Sequence, residues 1–326
     1  MALTITNNTY DGVLTPGMSS LISIGANDYN LWHSATSSGS KVRLSYVDAT
    51  APLQDLSGGI CTFADSGDRS LVFLNLDMAE LGTQQTACIS ELFNTDYASA
   101  NAGHLSQEVD AALANSWAER IIDKFSKGMQ NLRWSGDTGS GVAALAYQDG
   151  IVKLIQALGA WVVTTNETGY QKVATTVVTA ANVVAEIQKH IAILPFEVTS
   201  HSGFKIVVAP GVAGFLQTAV MTATGVNNLP LVDPDLNTGR LMSNFFGFPV
   251  YVANGLGATA ANNNVIMAGI FEDSSEGAIK WGMNQPSDEK NLELKLVSDG
   301  DELRFRIATA QAVAVIPDGS QIAMNI

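Results

Sequence analysis

The sequence has few charged residues and very few residues that bind metals. Of its 326 residues, 15% are charged, two are cysteine and four are histidine. Cys61 and Cys88 do not have the short spacing of zinc ligands, and the histidines show no metal-binding spacing either. We therefore expect no metal and no other cofactor. Both cysteines are expected to be reduced thiols in a protein made in a cytosol.

The sequence also lacks a recognisable targeting or membrane-spanning segment. The stretch MALTITNNTY has neither the basic start nor the apolar run of a secretory signal peptide. The most apolar long segment, 151–163, contains Lys153 and Gln156 and is too short to cross a bilayer. No membrane role is therefore expected.

Acidic residues outnumber basic residues in the chain. The chain has 31 acidic and 17 basic side chains, a formal net charge of −14. A protein that binds nucleic acid through its phosphates usually has the opposite sign. The charge suits an acidic wall that surrounds DNA without binding it, and it equally suits simple solubility. Hydrophobic residues make up 46% of the chain, which indicates either a large core or an apolar surface that other subunits cover.

The longest helical pattern runs from Ser106 to Trp134. Its apolar residues recur every three or four positions, so they share one face of a helix. These predicted core residues are Val109, Leu113, Trp117, Ile121, Phe125, Met129 and Leu132. Ser106 is a suitable N-cap, and glycines after Trp134 end the pattern. At about 1.5 Å per residue the helix would be roughly 40 Å long, enough to brace an elongated domain.

Two segments with alternating apolar residues predict a long hairpin over 41–78. Val42, Leu44 and Tyr46 alternate with polar residues, and the segment Leu71 to Met78 has the same period. Turn-forming residues without a core pattern lie between them. Such a hairpin cannot bury itself, so we expect a neighbouring subunit to support it. A mobile enzyme lid is the alternative.

A second hairpin is predicted over 291–307, with its turn at Asp299 and Gly300. This turn sets a register in which one face of the hairpin is wholly apolar, so burial of that face fixes the register. The predicted apolar pairs are Leu292 with Ile307, Leu294 with Phe305 and Leu296 with Leu303.

The other face of this hairpin is charged. Glu293 stands opposite Arg306, but Lys295 stands opposite Arg304, and like charges in that position destabilise a sheet. We expect a carboxylate from elsewhere, including another subunit, to join the two bases; two side chains that splay into solvent are the alternative. The predicted subunit contacts are Asp65, Asp68, Arg69, Lys295, Arg304 and Arg306.

Strands and helices elsewhere are mixed without regular alternation, which predicts an α+β fold. One short motif points to an enzyme: Asp137-Thr138-Gly139-Ser140 has the letters of an aspartic peptidase, with Asp65-Ser66-Gly67 as a possible second half. That chemistry needs two carboxylates on tight loops between strands, whereas Asp137 follows a helix. No other nucleophile or phosphate-binding motif is present. We therefore expect a protein that is not an enzyme, with an aspartic peptidase as a remote alternative.

The segment Gly239 to Gly255, GRLMSNFFGFPVYVANG, resembles the glycine-proline-valine strand of tailed-phage major capsid proteins of the Hong Kong 97 type. An apolar strand near Val265 to Phe271, the second hairpin and a last strand Ala310 to Ile316 follow in the expected order. Further segments are similar to features of phage capsid proteins, including the crAss-like and related groups. These are Tyr10-Asp11-Gly12, Cys88 to Phe93 and Trp134 to Asp137.

The resemblance implies a Hong Kong 97-like fold in four parts. They are an N-terminal arm over 1–40, an extended loop over 41–83, a peripheral domain with the spine helix over 84–165 and 286–310, and an axial domain over 166–285 and 311–326. It also implies a structural protein of the virion that is made in the host bacterial cytoplasm. Copies would assemble as pentamers and hexamers into an icosahedral shell around double-stranded DNA, without sequence-specific binding.

The expected partners are other copies of the chain, portal and scaffold proteins, and in some shells decoration proteins. Because the arm is short, we expect the scaffold to be a separate protein. An encapsulin-like compartment that encloses a cargo enzyme is the main alternative function.

Overall fold

The computed structural model describes residues 34–36, 41–49, 69–77, 79–88, 111–160, 169–174, 176–224, 240–271, 277–283, 292–296, 302–315 and 321–325. The predicted arm therefore lies outside the described residues except for 34–36. The loop between the two strands of the first hairpin also lies outside them.

Thirteen strands and five helices occur in the described part of the chain. In chain order they are β1 (Ser34–Thr36), β2 (Lys41–Ala49), β3 (Arg69–Asp77), β4 (Ala79–Cys88), α1 (Ala111–Ser135), α2 (Ile151–Leu158), β5 (Gln171–Lys172), α3 (Val183–Ala192), α4 (Phe196–Thr199), β6 (Phe204–Val208), α5 (Pro210–Thr224), β7 (Arg240–Phe245), β8 (Phe248–Val252), β9 (Ile266–Ile270), β10 (Ile279–Met283), β11 (Leu292–Leu296), β12 (Glu302–Val315) and β13 (Ile322–Met324).

A five-stranded sheet is built around β12, which is 14 residues long. β4 pairs with one edge of β12, while β11 and β10 pair in turn with the other edge, all antiparallel. β1 adds to β10 in parallel. The prediction of a separate last strand from Ala310 was therefore wrong. The segment from Glu302 to Val315 contains no glycine, proline or asparagine to interrupt it, so the hairpin strand simply continues.

The register predicted for the second hairpin is confirmed. Leu294 pairs with Phe305, and Leu292 pairs with Ile307. Phe305 and Ile307 are both buried. The first hairpin is confirmed as well, because β2 and β3 pair antiparallel with Leu44 opposite Leu74. Alternation of apolar residues was enough to find both hairpins, since a period of two is the pattern of a strand with one apolar face.

A six-stranded mixed sheet forms most of the core. Its strand order is β5-β13-β9-β6-β8-β7. Every residue of β6 and β9, the two central strands, is buried. Helix α3 packs against β9 and β13, and α5 packs against α3. Helices and strands thus mix without regular alternation, which confirms the α+β prediction.

The predicted spine helix is present as α1, 25 residues long. Ser106 and Val109 lie outside the described residues, and Leu113 lies in the first turns of α1. Ile121, Met129 and Leu132 are buried, while Trp117 and Phe125 are half-buried. The most deeply buried line of α1 is instead Ala118, Ile122, Ser126, Met129 and Arg133. This line is rotated by about one residue from the predicted stripe. The apolar pattern did not reveal it, because Ala118, Ser126 and Arg133 on this line are not large apolar residues.

No helix among the described residues combines the length and the apolar character that crossing a bilayer requires.

Candidate assembly surfaces

Arg133 fixes the C-terminal end of α1 to the five-stranded sheet. Its side chain is buried, with the guanidinium carbon 4.1 Å from the centre of the Trp281 ring on β10. One guanidinium nitrogen donates a hydrogen bond to Oε1 of Gln311 on β12, at 3.5 Å. The Gln311 amide in turn donates to the backbone carbonyl of Met129, at 3.4 Å. Stacking and hydrogen bonding thus stabilise a buried cation between helix and sheet.

Ser135 and Gly255 fix the same end of α1 to the six-stranded sheet. The Ser135 hydroxyl donates to the carbonyl of Gly255, at 2.8 Å, just beyond the end of β8. The side-chain amide of Asn262 donates to the Ser135 hydroxyl, at 3.0 Å. A Cβ on Gly255 would lie 2.7 Å from Cδ1 of Trp134, so only glycine permits this approach. Helix α1 therefore joins the two sheets directly.

A basic face lies on the opposite side of the hairpin from α1. Phe305 points inward and its ring contacts the Trp117 ring edge-on, with 6.1 Å between centroids. The residues on either side of Phe305, Arg304 and Arg306, are exposed. Lys295 of β11 stands directly opposite Arg304 in the register, as predicted from the sequence. Glu293 stands opposite Arg306, and Glu302 alternates onto the same side of β12, so three bases and two acids share this face of a chain whose net charge is −14.

The other residues predicted for subunit contact are less fully placed. Arg69 begins β3, with Ala49 opposite it in the register. Asp65 and Asp68 lie outside the described residues. That these two residues contact another subunit therefore stays a prediction.

The residues of the peptidase-like motif form a surface ion cluster. The Lys153 ammonium hydrogen-bonds Asp137 and lies 3.0 Å from a carboxylate oxygen of Asp149. The backbone and hydroxyl of Thr138 both donate to that same oxygen, each at 2.8 Å. Gly139 donates its backbone N–H to Asp137, at 2.8 Å.

These contacts keep both carboxylates ionised. The hydrogen bond from Lys153 lowers the pKa of Asp137. Partial burial acts to raise the pKa of Asp149, but hydrogen bonds from Thr138 and Lys153 outweigh it and lower that pKa. An aspartic peptidase needs two carboxylates that share one proton in a dry cleft. The cluster around Asp137 is instead a surface clamp that closes the loop after α1.

Helix α3 contains a buried histidine. His190 is fully buried, and its Nδ1 lies 2.7 Å from the backbone carbonyl of Glu186. Burial lowers the pKa of His190 to about 4, so the ring is neutral at pH 7 and Nδ1–H donates to the carbonyl. In the parts of the chain that the structure describes, no cluster of three His, Cys, Asp or Glu residues is suited to a metal ion. Cys88, at the end of β4, is an exposed free thiol.

Sequence reasoning missed the residues that join α1 to the two sheets. Arg133 was available as a signal, since it continues the three- and four-residue spacing of Ser126 and Met129. A charged residue on the buried face of a helix predicts a buried partner. That partner, Trp281, could not be identified because it lies far away along the sequence. Gly255 was noted only as the last residue of the segment Gly239 to Gly255 that resembles a capsid-protein strand.

The fold is shared with proteins of known structure, although sequence comparison alone finds little. No protein-family model and no curated protein matches the sequence. A chain from the capsid of a native GTA particle superposes with a TM-score of 0.57 at 15% identity, covering 100% of this chain and 95% of that one. The chain has a capsid-protein fold.

Two further solved structures superpose on the chain to a similar degree. A chain of the cyanophage A-1(L) capsid asymmetric unit has a TM-score of 0.55 at 12% identity and covers 98% of this chain and 96% of its own. A chain from Mycobacterium phage Adephagia has the same TM-score and identity, with coverages of 92% and 89%. Identity this low establishes the fold alone. The similarity extends over nearly the whole length of each chain, so the fold is not shared merely through one common module.

Proposed function

We propose that this chain is the major capsid protein of a phage, and that copies of it assemble into the virion shell. The observation that carries the proposal is the end-to-end structural similarity to the capsid of a native GTA particle. The shell is icosahedral, built of pentamers and hexamers, and encloses double-stranded DNA. The role is structural and not enzymatic, in keeping with the ion-paired state of Asp137 and Asp149.

The contacts that fix α1 to both sheets suit a structural role in a shell. A buried cation and a close glycine contact fix the helix to both sheets, so a load on one sheet is transmitted to the other through α1. The net charge of −14 supports the enclosing function, because an acidic wall does not hold the DNA phosphates.

The four-part layout belongs to the same proposal. The arm is 1–40, the extended loop is 41–83, the peripheral domain is 84–165 with 286–310, and the axial domain is 166–285 with 311–326. The boundary between residues 310 and 311 falls inside β12. In this layout β12, which pairs with β11 near its start and with β10 at its end, is shared by the peripheral and axial domains.

Neighbouring copies meet in part through charge. The basic face around Arg304 and Arg306 binds acidic side chains of the next copy, and the extended loop supplies Asp65 and Asp68 to it. Charge complementarity supports this contact, since the face is basic while the chain as a whole is acidic. Arg69 and Lys295 belong to the same set of contacts. Portal, scaffold and decoration proteins are the further partners, and the bacterial cytoplasm is the site of synthesis.

The test is to express the chain with its own scaffold protein and to examine the product by negative-stain microscopy and for nucleic acid. Closed shells that contain DNA are expected when packaging is complete. Shells that exclude DNA and enclose an enzyme would favour an encapsulin-like compartment instead. If the chain cleaves peptides, and if Asp137→Asn abolishes this cleavage without loss of assembly, the result would support the aspartic peptidase alternative.

A further inference from the structure

Three exposed apolar side chains lie in the two connections that lead into β6 and β8, at one end of the six-stranded sheet. Ile193 is 40% exposed, Phe196 84% and Phe246 62%. Phe196 begins the short helix that leads into β6, and Phe246 lies in the turn that leads into β8. β6 and β8 are parallel neighbours, with Ile206 opposite Val250, so both strands begin at the same end. We call Ile193, Phe196 and Phe246 the tip set.

The turn at Phe246 keeps an aromatic ring exposed in an unfavourable backbone conformation. Phe246 and Gly247 have φ angles of 52° and 95°, which is the geometry of a two-residue hairpin turn. Asn or Asp usually precedes the glycine there, because bulky side chains disfavour positive φ. The Phe246 ring makes an edge-on contact with Phe245, at 4.8 Å between centroids. The hairpin of one copy requires positive φ at this position but does not require a phenylalanine, and an unfavourable residue kept at such a position is typical of a functional contact.

Two more exposed apolar side chains lie in a loop whose start is bonded just past the other end of β8. Val142 is 55% exposed and Tyr147 64%, both in the loop that follows α1. This loop is held in place: Asp137 N–H donates to the Leu145 carbonyl at 2.8 Å, and Gly150 N–H donates to the Gly136 carbonyl at 2.9 Å. Ser135, the last residue of α1, donates a hydrogen bond to the carbonyl of Gly255, just past the end of β8. We call Val142 and Tyr147 the loop set.

We propose that the tip set of one copy docks against the loop set of the next copy, in a head-to-tail contact that closes rings of subunits. This inference rests on the proposed shell function. A head-to-tail ring requires two different surfaces on each copy, whereas a two-fold contact requires one self-complementary surface. The tip and loop sets are such a pair, because they are apolar and separate. The tip set lies where β6 and β8 begin, and the loop set follows the α1 residue that is bonded just past the end of β8.

The size of the tip set also favours a ring of copies over an isolated pair. Its three side chains expose roughly 300–400 Å² together, judged from the area that large side chains bury. A stable pair of proteins buries about 800 Å² on each partner. One such contact is therefore too small to hold two copies alone, but each copy in a closed ring makes it twice and the contacts reinforce one another. An apolar contact also offsets repulsion between acidic copies.

Thiol cross-linking within assembled particles tests the direction of the contact. In chains with Cys61→Ser and Cys88→Ser, one preparation bears Phe196→Cys and another bears Tyr147→Cys. The two are assembled alone or as an equal mixture and treated with a short bis-maleimide. We expect a covalent dimer from the mixture only. A dimer from Phe196→Cys alone would overturn the head-to-tail contact, as would assembled particles of the mixture that yield no dimer.

Charge placed in the tip set tests whether the contact drives assembly. Phe196→Asp should reduce the assembled fraction by about tenfold or more, as expected for a central apolar contact residue. Its thermal unfolding midpoint should stay unchanged, because Phe196 is 84% exposed. Val177→Asp is the matched control, since Val177 is 79% exposed and belongs to neither set.

If Phe196→Asp assembles as well as Val177→Asp, the tip contact is refuted while the proposed function stands. If the parent chain itself fails to assemble with its scaffold protein, the proposed function fails and the contact fails with it.

Discussion

Arg133 combines full burial with a positive charge that titration cannot remove. Its planar guanidinium lies over the Trp281 ring and reaches Gln311, which a lysine ammonium does not reproduce. We expect Arg133→Lys to lower the free energy of unfolding by about 2 kcal/mol, from the lost stacking and hydrogen bond. Chemical denaturation measures this. Lys124→Arg, at an exposed position of the same helix, is the control. Equal stability of the two variants would show that the stacking contributes nothing.

His190 predicts how stability depends on pH. Its pKa of about 4 in the folded chain lies below the ordinary value of 6.5. Between these pH values the unfolded chain binds a proton that the folded chain does not. The free energy of unfolding should therefore fall as the pH is lowered through this window, by about 3 kcal/mol in total.

Denaturation curves between pH 5 and pH 7 check this dependence. In this range His190→Gln should lose most of the slope. His201→Gln, at a half-exposed histidine of the loop before β6, should keep it. The carboxyl of Glu186 does not interfere there: burial acts to raise its pKa, but the Lys189 and Thr176 hydrogen bonds outweigh this and lower it. An unchanged slope in His190→Gln would contradict the account of the buried ring.

At the scale of elements, two glycines near α1 predict opposite effects of alanine. Gly128 is exposed on α1, and a Cβ there meets nothing within 4 Å. Gly128→Ala should raise the free energy of unfolding by about 0.5–1 kcal/mol, because alanine favours the helix. At Gly255 a Cβ would collide with the carbonyl of Gln130 and with Trp134. Gly255→Ala should therefore destabilise by about 1–3 kcal/mol or more.

Thermal unfolding of the two alanine variants, side by side with the parent, measures both effects. Shifts of the same sign would mean that the close approach of α1 to residue 255 is not required for stability.

Local patterns in the sequence predicted the elements that bury one face. The three- and four-residue spacing from Trp117 to Leu132 located α1, and alternation around an Asp-Gly turn set the register of β11 against β12. The pairing of β12 with β4 was not predicted, because its partner residues, such as Arg304 and Thr86, lie more than two hundred positions apart. Local periodicity contains no information about such a partner.

The candidate sites were harder to predict than the fold. The letters around Asp137 match a peptidase motif, and only the contact with Lys153, on the next helix, shows the carboxylate to be ion-paired. Phe246 is an unremarkable aromatic residue in the sequence, and its exposure and positive φ become visible only in the folded chain. Side-chain chemistry at a site depends on neighbours that the sequence does not place.

At the scale of the whole molecule, the basic face predicts different effects on one copy and on assembly. Arg304→Glu removes the like-charge pair with Lys295 but also the interaction that Arg304 makes within the chain, so the stability of the isolated chain should change by less than about 1 kcal/mol. The same change removes positive charge that the next copy binds, so assembly should weaken. Light scattering of assembling protein, with unfolding curves of the unassembled chain, measures both.

Lys124→Glu is the control for the change in net charge, because it alters an exposed base on α1 by the same amount. Assembly that is equally affected in Arg304→Glu and Lys124→Glu would show that overall charge, and not the basic face, is responsible.

The central claim is that copies of this chain build a closed shell. Light scattering with negative-stain microscopy, on the chain expressed alone and then with its scaffold protein, tests it most directly. The account predicts closed particles of uniform diameter that contain many copies. A stable monomer that remains a monomer at high concentration, with a crowding agent and with the scaffold protein, would contradict it.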